Sequence, residues 1–371
     1  MEEMVPEIRF KGFEGPWGKR QIVDVAERLD NLRIPVSENM RKKGIVPYYG
    51  ANGIQDYVEG YTHDGENVLV AEDGANDLKN YPVRCVKGKI WVNNHAHVLQ
   101  GKPNIANNQF LALAIHQSDI ESLLVGGGRA KLNAEVLMKL ETEFPVFKEQ
   151  IIIGECFILF DTLIALTQQK LDQLKIFKKA CLEKMFPKEG ETVPELRFEG
   201  FTDAWEQRKL GELCSITTGK LDANAMVLDG RYDFYTSGID VFKIDKAAFE
   251  GPAITIAGNG ASVGYMHLAD GKFNAYQRTY VLTDFSADRQ FLNVAIGNKL
   301  PYKIQEEVRG SGIPYIVLNM LTDLVIPFPS QKEQATIGAY FAGLDNLITL
   351  HQRKLDKLKS LKQACLEKMF I

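Results

Sequence analysis

Hydrophobic residues recur with a helical period along residues 149–186 and 333–370. The apolar positions, three or four residues apart, are Leu171, Leu174, Phe177, Cys181 and Met185, and then Leu355, Leu358, Leu361, Cys365 and Met369. This spacing is typical of an amphipathic helix, and both stretches are rich in good helix formers. The pattern predicts two helices of roughly 57 Å each. We expect them to pack against each other through these ten residues, in antiparallel orientation. The alternative is that each helix only covers its own domain.

The segments between these stretches are mixed in character. Runs rich in β-branched residues predict strands at residues 67–71, 89–92, 97–99, 253–257 and 279–282. A Gly- and Asn-containing turn, residues 72–76 or 258–261, follows the first strand of each body. The sequence therefore predicts a mixed α/β (α+β) protein with two globular bodies, at residues 18–148 and 206–332.

The chain contains an internal duplication. Residues 5–17 return as residues 193–205, and 17 of the 24 positions in residues 163–186 are identical in residues 347–370. Between these anchors only fragments match, such as Lys131-Leu-Asn133 with Val317-Leu-Asn319. Similar ends with divergent middles are expected if the ends bind the same partner and the middles bind different ones. The duplication predicts a molecule with pseudo-twofold symmetry.

The repeat also suggests domain limits. The chain has 371 residues, enough for two or three domains that each bury a core. We expect a first globular domain at 1–148, a first repeated helix and linker at 149–192, a second globular domain at 193–332, and a second repeated helix at 333–371.

Charge and cysteine content exclude few classes of function. The 44 Lys and Arg residues are balanced by 48 Asp and Glu residues, for a net charge of -4. Nucleic-acid binding depends on where cations cluster, so this balance does not exclude it. The five scattered cysteines form no Cys-x-x-Cys pair and fit a reducing compartment.

The features of targeting and membrane-spanning segments are weak in this sequence. The start of the chain is acidic and lacks the apolar core of a signal peptide. The apolar run at 151–166 is short for a membrane span and is interrupted by Glu155 and Asp161, so we expect a buried helix there. These features predict a cytoplasmic protein with no membrane partner.

Polar and aromatic residues cluster around the predicted turns and are candidate DNA contacts. In the first body they are Tyr48, Tyr49, Asn52, Asn76, Lys79, Asn94, His95, Arg129 and Lys131; in the second they are Tyr235, Ser237, Asn259, Asn274, Tyr276, Gln277, Arg278, Arg309 and Ser311. Arg, Asn, Gln and Ser can read base edges, and Arg and Lys neutralise phosphates. Ordinary solvated loops and plain tight turns remain the alternative.

Motifs for catalysis are missing from the sequence. It has no Asn-Pro-Pro-aromatic or Asp-Pro-Pro-aromatic tetrapeptide of an amino-methyltransferase, no P-loop and no His-Glu-x-x-His. Together with the absence of Cys-x-x-Cys, this predicts no metal site, no cofactor and no enzymatic activity of the chain alone.

The duplicated motifs resemble the specificity subunit of type I restriction-modification systems. They are Pro-Glu-Ile/Leu-Arg-Phe-x-Gly-Phe-x-x-x-Trp at 6–17 and 194–205, Leu-Asn followed by a Pro-containing strand at 318–329, Gln-Lys-Glu-Gln-Ala-Thr-Ile-Gly at 331–338, and the helix at 344–355. The resemblance covers nearly the whole chain, although residues 126–133 and 151–156 depart from the pattern of the second copy.

The resemblance implies a fold and a set of partners. It implies two target recognition domains separated by two long antiparallel helices, each domain binding one half of a bipartite, asymmetric site in double-stranded DNA. It further implies that the helices dock two modification (methyltransferase) subunits, and that motor-nuclease subunits complete the complex. A self-sufficient DNA-modifying enzyme and a structural coiled-coil interaction protein are the alternatives.

Overall fold

The computed structural model describes residues 5–126, 130–307 and 314–370, which form a mixed α/β chain. The chain divides into two compact units. Unit 1 comprises Met1–Gln168 together with Arg353–Ile371, and unit 2 comprises Gln169–Gln352. Each unit therefore combines one globular body with a part of both long helices.

Unit 1 is built from short strands and helices that precede and flank the first long helix. Its elements are β1 Gly18–Gln21, α1 Ile22–Val25, β2 Ala26–Arg28, β3 Lys43–Gly50, β4 Gly53–Val58, β5 Glu66–Ala71, β6 Val83–Lys87, β7 Trp91–Val92, β8 Ala96–Gly101, α2 Asn108–Gln117, α3 Ala134–Lys139, β9 Glu141–Phe144 and the start of α4 Phe147–Lys184. The strands form three sheets with orders β1-β9, β2-β8-β5-β6 and β4-β3-β7.

Unit 2 repeats this plan. It contains the end of α4, then β10 Glu206–Lys209, α5 Leu210–Leu213, β11 Ser215–Thr218, β12 Tyr232–Tyr235, β13 Val241–Ile244, β14 Phe249–Glu250, β15 Ala253–Ala257, β16 Met266–Ala269, β17 Lys272–Ala275, β18 Thr279–Thr283, α6 Arg289–Glu307, α7 Leu318–Thr322, β19 Val325–Phe328 and most of α8 Gln331–Met369. Its sheets have the orders β10-β19, β11-β18-β15-β16 and β13-β12-β17-β14.

The five predicted strands are confirmed. β15 covers the predicted residues 253–257 and β5, β8 and β18 extend their predictions by one to three residues, while β7 is restricted to Trp91–Val92. The most apolar strands, β5 and β15, lie inside their sheets with a neighbour on each side. Their side chains are buried along most of their length, as the hydrophobic runs require.

The two predicted long helices are present, each beginning two residues earlier than the pattern suggested. Within each unit, segments of α4 and α8 run antiparallel. In unit 1 Asp161 accepts a hydrogen bond from Lys362 at 2.5 Å, while Phe157 contacts Phe370 further along. In unit 2 the same geometry recurs between Lys178 and Asp345 at 2.5 Å, with Cys181 and Tyr340 3.5 Å apart further along.

These two ion pairs are equivalent under the duplication. Asp161 occupies the position of Asp345, and Lys178 occupies that of Lys362, in the aligned helix copies. In unit 1 the acidic partner therefore lies on α4 and the basic partner on α8, whereas in unit 2 the arrangement is reversed.

The expectation of a buried helix at residues 151–166 is wrong. Ile152, Leu159, Leu163 and Leu166 are 36–58% exposed. α4 is long and apolar enough to span a membrane by length and composition alone, and 28% of its most apolar window is buried. An apolar face of α4 therefore stays exposed in this chain.

The duplicated motifs at residues 6–17 and 194–205, called the opening motifs, each bind the end of one long helix. In unit 1 the Ile8 amide donates to the Lys368 carbonyl at 2.8 Å, and Lys368 pairs with Glu7. In unit 2 the Leu196 amide donates to the Lys184 carbonyl at 2.8 Å, with Lys184 paired to Glu195.

The tryptophan of each motif then enters an aromatic core. Trp17 lies 5.6 Å from Phe110 and 6.0 Å from Phe370 between ring centroids. Trp205 lies 6.2 Å from Phe291 and 5.8 Å from Phe186. Both tryptophans are over 95% buried, so the repeated motif is explained by packing.

The shared Leu-Asn dipeptide is not an equivalent position in the two units. Asn133 occupies the position just before α3, where its side chain makes no capping hydrogen bond, whereas Asn319 lies inside α7. The true counterpart of Leu132 is Ile316: the Leu132 amide bonds the Glu72 carbonyl, as the Ile316 amide bonds the Gly258 carbonyl. Lys131 therefore corresponds to Tyr315, and the motif match at that point was accidental.

Candidate functional site

In each unit, loops from separate strands meet at one place. We call the turn 50–53, residues 72–76 after β5, the turn 93–95 and Lys131 the first loop cluster. Its counterpart, the second loop cluster, contains residues 236–240, 258–261 and 276–278 with Tyr315. Most of the sequence-predicted residues fall in these two clusters.

Backbone hydrogen bonds hold the loops together in the same way in both units. In the first cluster the Asn93 amide donates to Tyr49 at 3.1 Å and the Glu72 amide donates to His95 at 2.9 Å. In the second, the Tyr276 amide donates to Tyr235 and the Gly258 amide to Arg278, both at 2.9 Å. The scaffold is shared because it is made by main-chain groups, so the side chains are free to differ.

Side chains of the first cluster bond across its loops. The Asn52 Nδ2 donates to the Gly74 carbonyl at 2.9 Å, and its Oδ1 accepts from the Asn76 amide at 2.9 Å. His95 Nδ1 lies 2.5 Å from Asp73 Oδ1. These contacts order an exposed polar surface that carries both donors and acceptors.

A half-buried ionic network supports this surface from below. Glu72 accepts from Arg33 at 2.7 Å and pairs with Lys131 at 2.9 Å. His97 is buried, with Nδ1 2.7 Å from Asp30 and Nε2 2.9 Å from the Leu132 carbonyl. The network joins the strand-end loop to the segment that contains Lys131.

The charges of this network set the pKa values of its carboxyl groups. Burial by itself would raise the pKa of Asp30, but the hydrogen bond from His97 and that from the Val98 amide leave it below the ordinary value. Burial by itself would also raise the pKa of Glu72. The hydrogen bonds from Arg33 and Lys131 outweigh burial, so the pKa of Glu72 is lowered. Both carboxylates are therefore kept ionised by their partners.

The second cluster is organised by a different set of side-chain hydrogen bonds. Ser237 Oγ donates to Asn259 Oδ1 at 2.7 Å, and Gln277 Nε2 donates to Asp222 at 2.7 Å. The Tyr280 hydroxyl donates to the Ile316 carbonyl at 2.9 Å, at the position where His97 bonds Leu132. The two clusters thus share a frame but present different chemistry.

Three candidates are interior residues and are not positioned to contact DNA. Tyr48 is 1% exposed and its hydroxyl bonds the Val36 backbone. Asn274, 4% exposed, donates to the Lys246 carbonyl, and Tyr235 packs on Phe273. The polar groups of Tyr48 and Asn274 are used by hydrogen bonds inside the bodies, and the Tyr235 ring belongs to a buried aromatic cluster.

Tyr49 is also largely buried, and burial raises its pKa. The candidates with exposed or half-exposed side chains are Asn52, Asn76, Lys79, Asn94, His95, Lys131, Ser237, Asn259, Tyr276, Gln277 and Arg278. Lys79 lies beside the first cluster, on the loop that Asp77 orders through the Lys79 and Asn80 amides. Arg129, Arg309 and Ser311 lie outside the described residues.

Arg84 and His267 were missed by the sequence analysis. Arg84, on β6, donates to the Asn52 carbonyl at 3.2 Å beneath the first cluster. His267 holds the matching position on β16, between Tyr235 and Tyr265; burial lowers its pKa, against a hydrogen bond with the Gly238 backbone. No sequence signal marks these two residues, because they lie on strands away from the predicted turns. They are also of different residue types, so the duplication does not reveal them.

The ten predicted helix-packing residues have unequal environments. Leu171, Cys181, Met185, Leu355 and Met369 are buried, and Leu174, Leu358 and Cys365 are partly exposed. Phe177 and Leu361, which are equivalent under the duplication, are 51% and 44% exposed. Met185 and Met369 belong to the cores of their units, next to the aromatic clusters.

Among residues 5–126, 130–307 and 314–370, no group of three or more His, Cys, Asp or Glu side chains is arranged to hold a metal ion. What the loop clusters offer is hydrogen bonding and charge on an exposed surface.

The chain is similar to known proteins along both repeats. Residues 14–176 and 202–360 each match the family of the type I restriction modification DNA specificity domain. A protein of Haemophilus influenzae described as a type I restriction enzyme specificity subunit is 42% identical over 159 residues, and the Escherichia coli EcoDI specificity subunit is 39% identical over 159 residues. Each alignment covers 43% of this chain and only 40% or 34% of the relative.

Two further comparisons span most of the chain. The MjaVIII specificity subunit of Methanocaldococcus jannaschii is 21% identical, covering 93% of this chain and 87% of that one. The crystal structure of a type I restriction-modification S subunit from M. genitalium has a TM-score of 0.76 at 16% identity and covers 99% of both chains, which shows the same fold. With both repeats matched, the chain belongs to the family of type I restriction-modification specificity subunits and carries two DNA specificity domains.

Proposed function

We propose that this protein is the DNA sequence-recognition subunit of a type I restriction-modification complex. Its recognition domains, residues 1–148 and 193–332, each bind one half of a bipartite, asymmetric site in double-stranded DNA. The long helices dock two modification subunits, and motor-nuclease subunits join through that complex. The chain supplies no catalysis, and its place of action is the cytoplasm.

One observation carries the proposal: equivalent loops hold unlike side chains on a shared main-chain frame. Where the first cluster places Asp73, His95 and Lys131, the second places Asn259, Arg278 and Tyr315. Readers of two different half-sites need the same support but different donors and acceptors. Unlike exposed side chains on a shared frame are what this task requires.

Local charge supports DNA binding despite the net charge of -4. Lys79, exposed beside the first cluster, and Arg278, exposed in the second, add positive charge to surfaces rich in amide groups. Phosphate contacts from such cations contribute affinity, and amide side chains contribute base discrimination.

The helices support docking of two identical partners. Under the duplication, exposed apolar residues fall at equivalent positions with similar exposed fractions: Leu163 and Leu347 at 36% and 45%, Leu166 and Leu350 at 57% and 58%, and Phe177 and Leu361 at 51% and 44%. Clustered exposed apolar side chains mark interaction sites. A repeated set suits two copies of one partner, which in this family is the modification subunit.

The experiment combines assembly and genome methylation. The chain is co-expressed with the modification subunit of its host, and methylated adenines are mapped in cells with and without the gene. We expect a split motif that is methylated only when this chain is present. Unchanged methylation after deletion, or methyl transfer by the purified chain alone, would overturn the proposal.

Binding to DNA is separable from a purely structural role. Duplex affinity of the assembled complex should fall as salt rises, because released counterions accompany each phosphate contact. If the chain instead bound its protein partners with an affinity that neither duplex DNA nor salt concentration changed, a role as a protein scaffold would be indicated.

A further inference from the structure

The exposed apolar stripe of α4 is longer than its counterpart on α8. Ile152, Leu159, Leu163 and Leu166 are spaced by seven, four and three residues, which places them on one face of the helix. They are 37%, 58%, 36% and 57% exposed. The stripe belongs to unit 1 and begins near the first turns of α4.

The equivalent positions on α8 are Thr336, Gly343, Leu347 and Leu350. The two leucines are retained and similarly exposed, but the first half of the stripe is lost. Gly343 is exposed, and a Cβ added there would meet no atom within 4 Å, so no steric reason excludes a large side chain. The difference between the helices is therefore not imposed by packing within unit 2.

Packing within unit 1 does not account for the added residues either. The buried face of α4 in this unit is supplied by other positions, Ile153 and Phe157, which are 1% and 2% exposed and belong to the core. Ile152 and Leu159 lie outside that core. Solvent-exposed aliphatic groups on a helix gain free energy only when a partner covers them.

We infer that the two docking faces are unequal, and that the first modification subunit binds unit 1. This inference rests on the proposed docking function. Both faces bind the same partner, because Leu163 and Leu166 have equivalents in Leu347 and Leu350. The added residues of α4 lie on the same face as Leu163 and Leu166 and extend it. The first copy covers two additional aliphatic side chains, so it binds more tightly than the second.

Unequal docking faces cause the two modification subunits to bind in a fixed order. Covering an exposed aliphatic side chain is favourable in proportion to the area removed from water, and ordering costs reduce the gain at an interface. Two such residues give an affinity difference of about tenfold or more between the sites. A complex with one modification subunit, held on unit 1, accumulates before the complex with two.

The test titrates the full-length chain with purified modification subunit and counts bound copies by native mass spectrometry. We expect a 1:1 species to dominate at limiting partner, with the second site filling at about tenfold higher concentration or more. Hydrogen exchange of the 1:1 species should show protection in residues 147–168 before residues 331–352.

Two matched variants separate the faces. The double variant Ile152→Thr/Leu159→Ala should remove the difference by weakening the first site. The graft Thr336→Ile/Gly343→Leu should remove it by strengthening the second. The graft keeps the test decisive if the first variant folds poorly.

Failure of the inference differs from failure of the proposed function. Two equal sites in the wild-type chain, unaffected by either variant, would overturn the inference and leave docking intact. No binding of modification subunit at any concentration would overturn both. Binding of the unassembled chain to phosphatidylcholine vesicles through the stripe, abolished by Ile152→Thr/Leu159→Ala but with equal subunit sites, would show that the stripe serves a membrane surface instead.

Discussion

Arg9 and Glu149 form a two-point ion pair across 140 residues of chain. Arg9 Nε lies 2.7 Å from Glu149 Oε1, and Nη2 lies 2.8 Å from Oε2. Arg197 and Glu333 repeat the pair with the same two distances. In each unit the arginine comes from the opening motif and the glutamate from the first turn of a long helix, so the pair fastens the chain to the helix start.

Removing Arg197 should strongly destabilise unit 2. The Glu333 side chain is 1% exposed, and Arg197→Ala would leave its carboxylate buried without its main partner. Such a loss costs about 3–5 kcal/mol. Urea unfolding of the full chain, followed by tryptophan fluorescence, should show this decrease in the free energy of unfolding.

Lys179→Ala is the control for that measurement. The Lys179–Glu183 pair is exposed on α4 at 3.9 Å, so its loss should change stability by less than about 1 kcal/mol. Equal effects of the two substitutions would contradict the structural role of Arg197.

Two glycines of α8 should respond oppositely to alanine. At Gly338 a Cβ would lie 2.6 Å from Asp288 Oδ1 and 2.8 Å from the Phe291 amide nitrogen, where the start of α6 approaches the helix. Gly338→Ala should cost about 1–3 kcal/mol through overpacking. Gly343→Ala, in open space on the same helix, should stabilise by about 1 kcal/mol because alanine is the better helix former. Thermal unfolding of both variants measures the difference, and a neutral Gly338→Ala would refute the close approach.

Acid should weaken unit 1 through Asp30 and Glu72. Their pKa values are lower in the folded chain than in the unfolded chain, so the unfolded state binds more protons as the pH falls. The stability that they contribute is present above the unfolded pKa values, about 4, and is lost as the pH falls through the folded values. The slope of stability against pH should therefore be positive below about pH 4.

The variant Asp30→Asn/Glu72→Gln tests this assignment. We expect a lower stability at neutral pH and a shallower pH dependence in acid, monitored by Trp17 and Trp91 in a Trp205→Phe background. An unchanged acid slope would show that other carboxyl groups are responsible.

Arg278 should contribute to the second half-site only. Arg278→Ala removes an exposed guanidinium from the second loop cluster, which should reduce DNA affinity about tenfold or more if it contacts a base edge. Competition binding with duplexes altered in one half-site at a time measures the effect. His95→Ala is the matched change in the first cluster, since His95 occupies the position of Arg278, and an effect of either substitution on the opposite half-site would contradict the assignment.

The helices should set the length of the non-specific spacer. Inserting four residues after Gln168 and four after Gln352 lengthens both helices by about 6 Å, close to two base pairs of DNA. Methylation mapping should then find the same half-sites with a longer spacer. Altered half-sites with the original spacer would refute this role.

The sequence by itself determined the duplication, the two long helices, the principal strands and the general position of the loops. These features follow from local periodicity and turn residues, which are readable wherever one face of an element is buried. The divergence between residues 18–148 and 206–332 also indicated different binding surfaces, and the repeated motifs indicated the family.

Only the tertiary structure decided which polar residues face solvent and which long-range pairs form. Tyr48, Tyr235 and Asn274 share the residue types of a recognition surface, but their partners lie inside the bodies. Arg84, His267 and the pairing of Arg9 with Glu149 depend on contacts between distant segments, which leave no periodic signal in the chain. The exposed stripe of α4 was predicted to be buried for the same reason: hydrophobicity specifies that a surface should be covered, whereas packing decides whether the chain or a partner covers it.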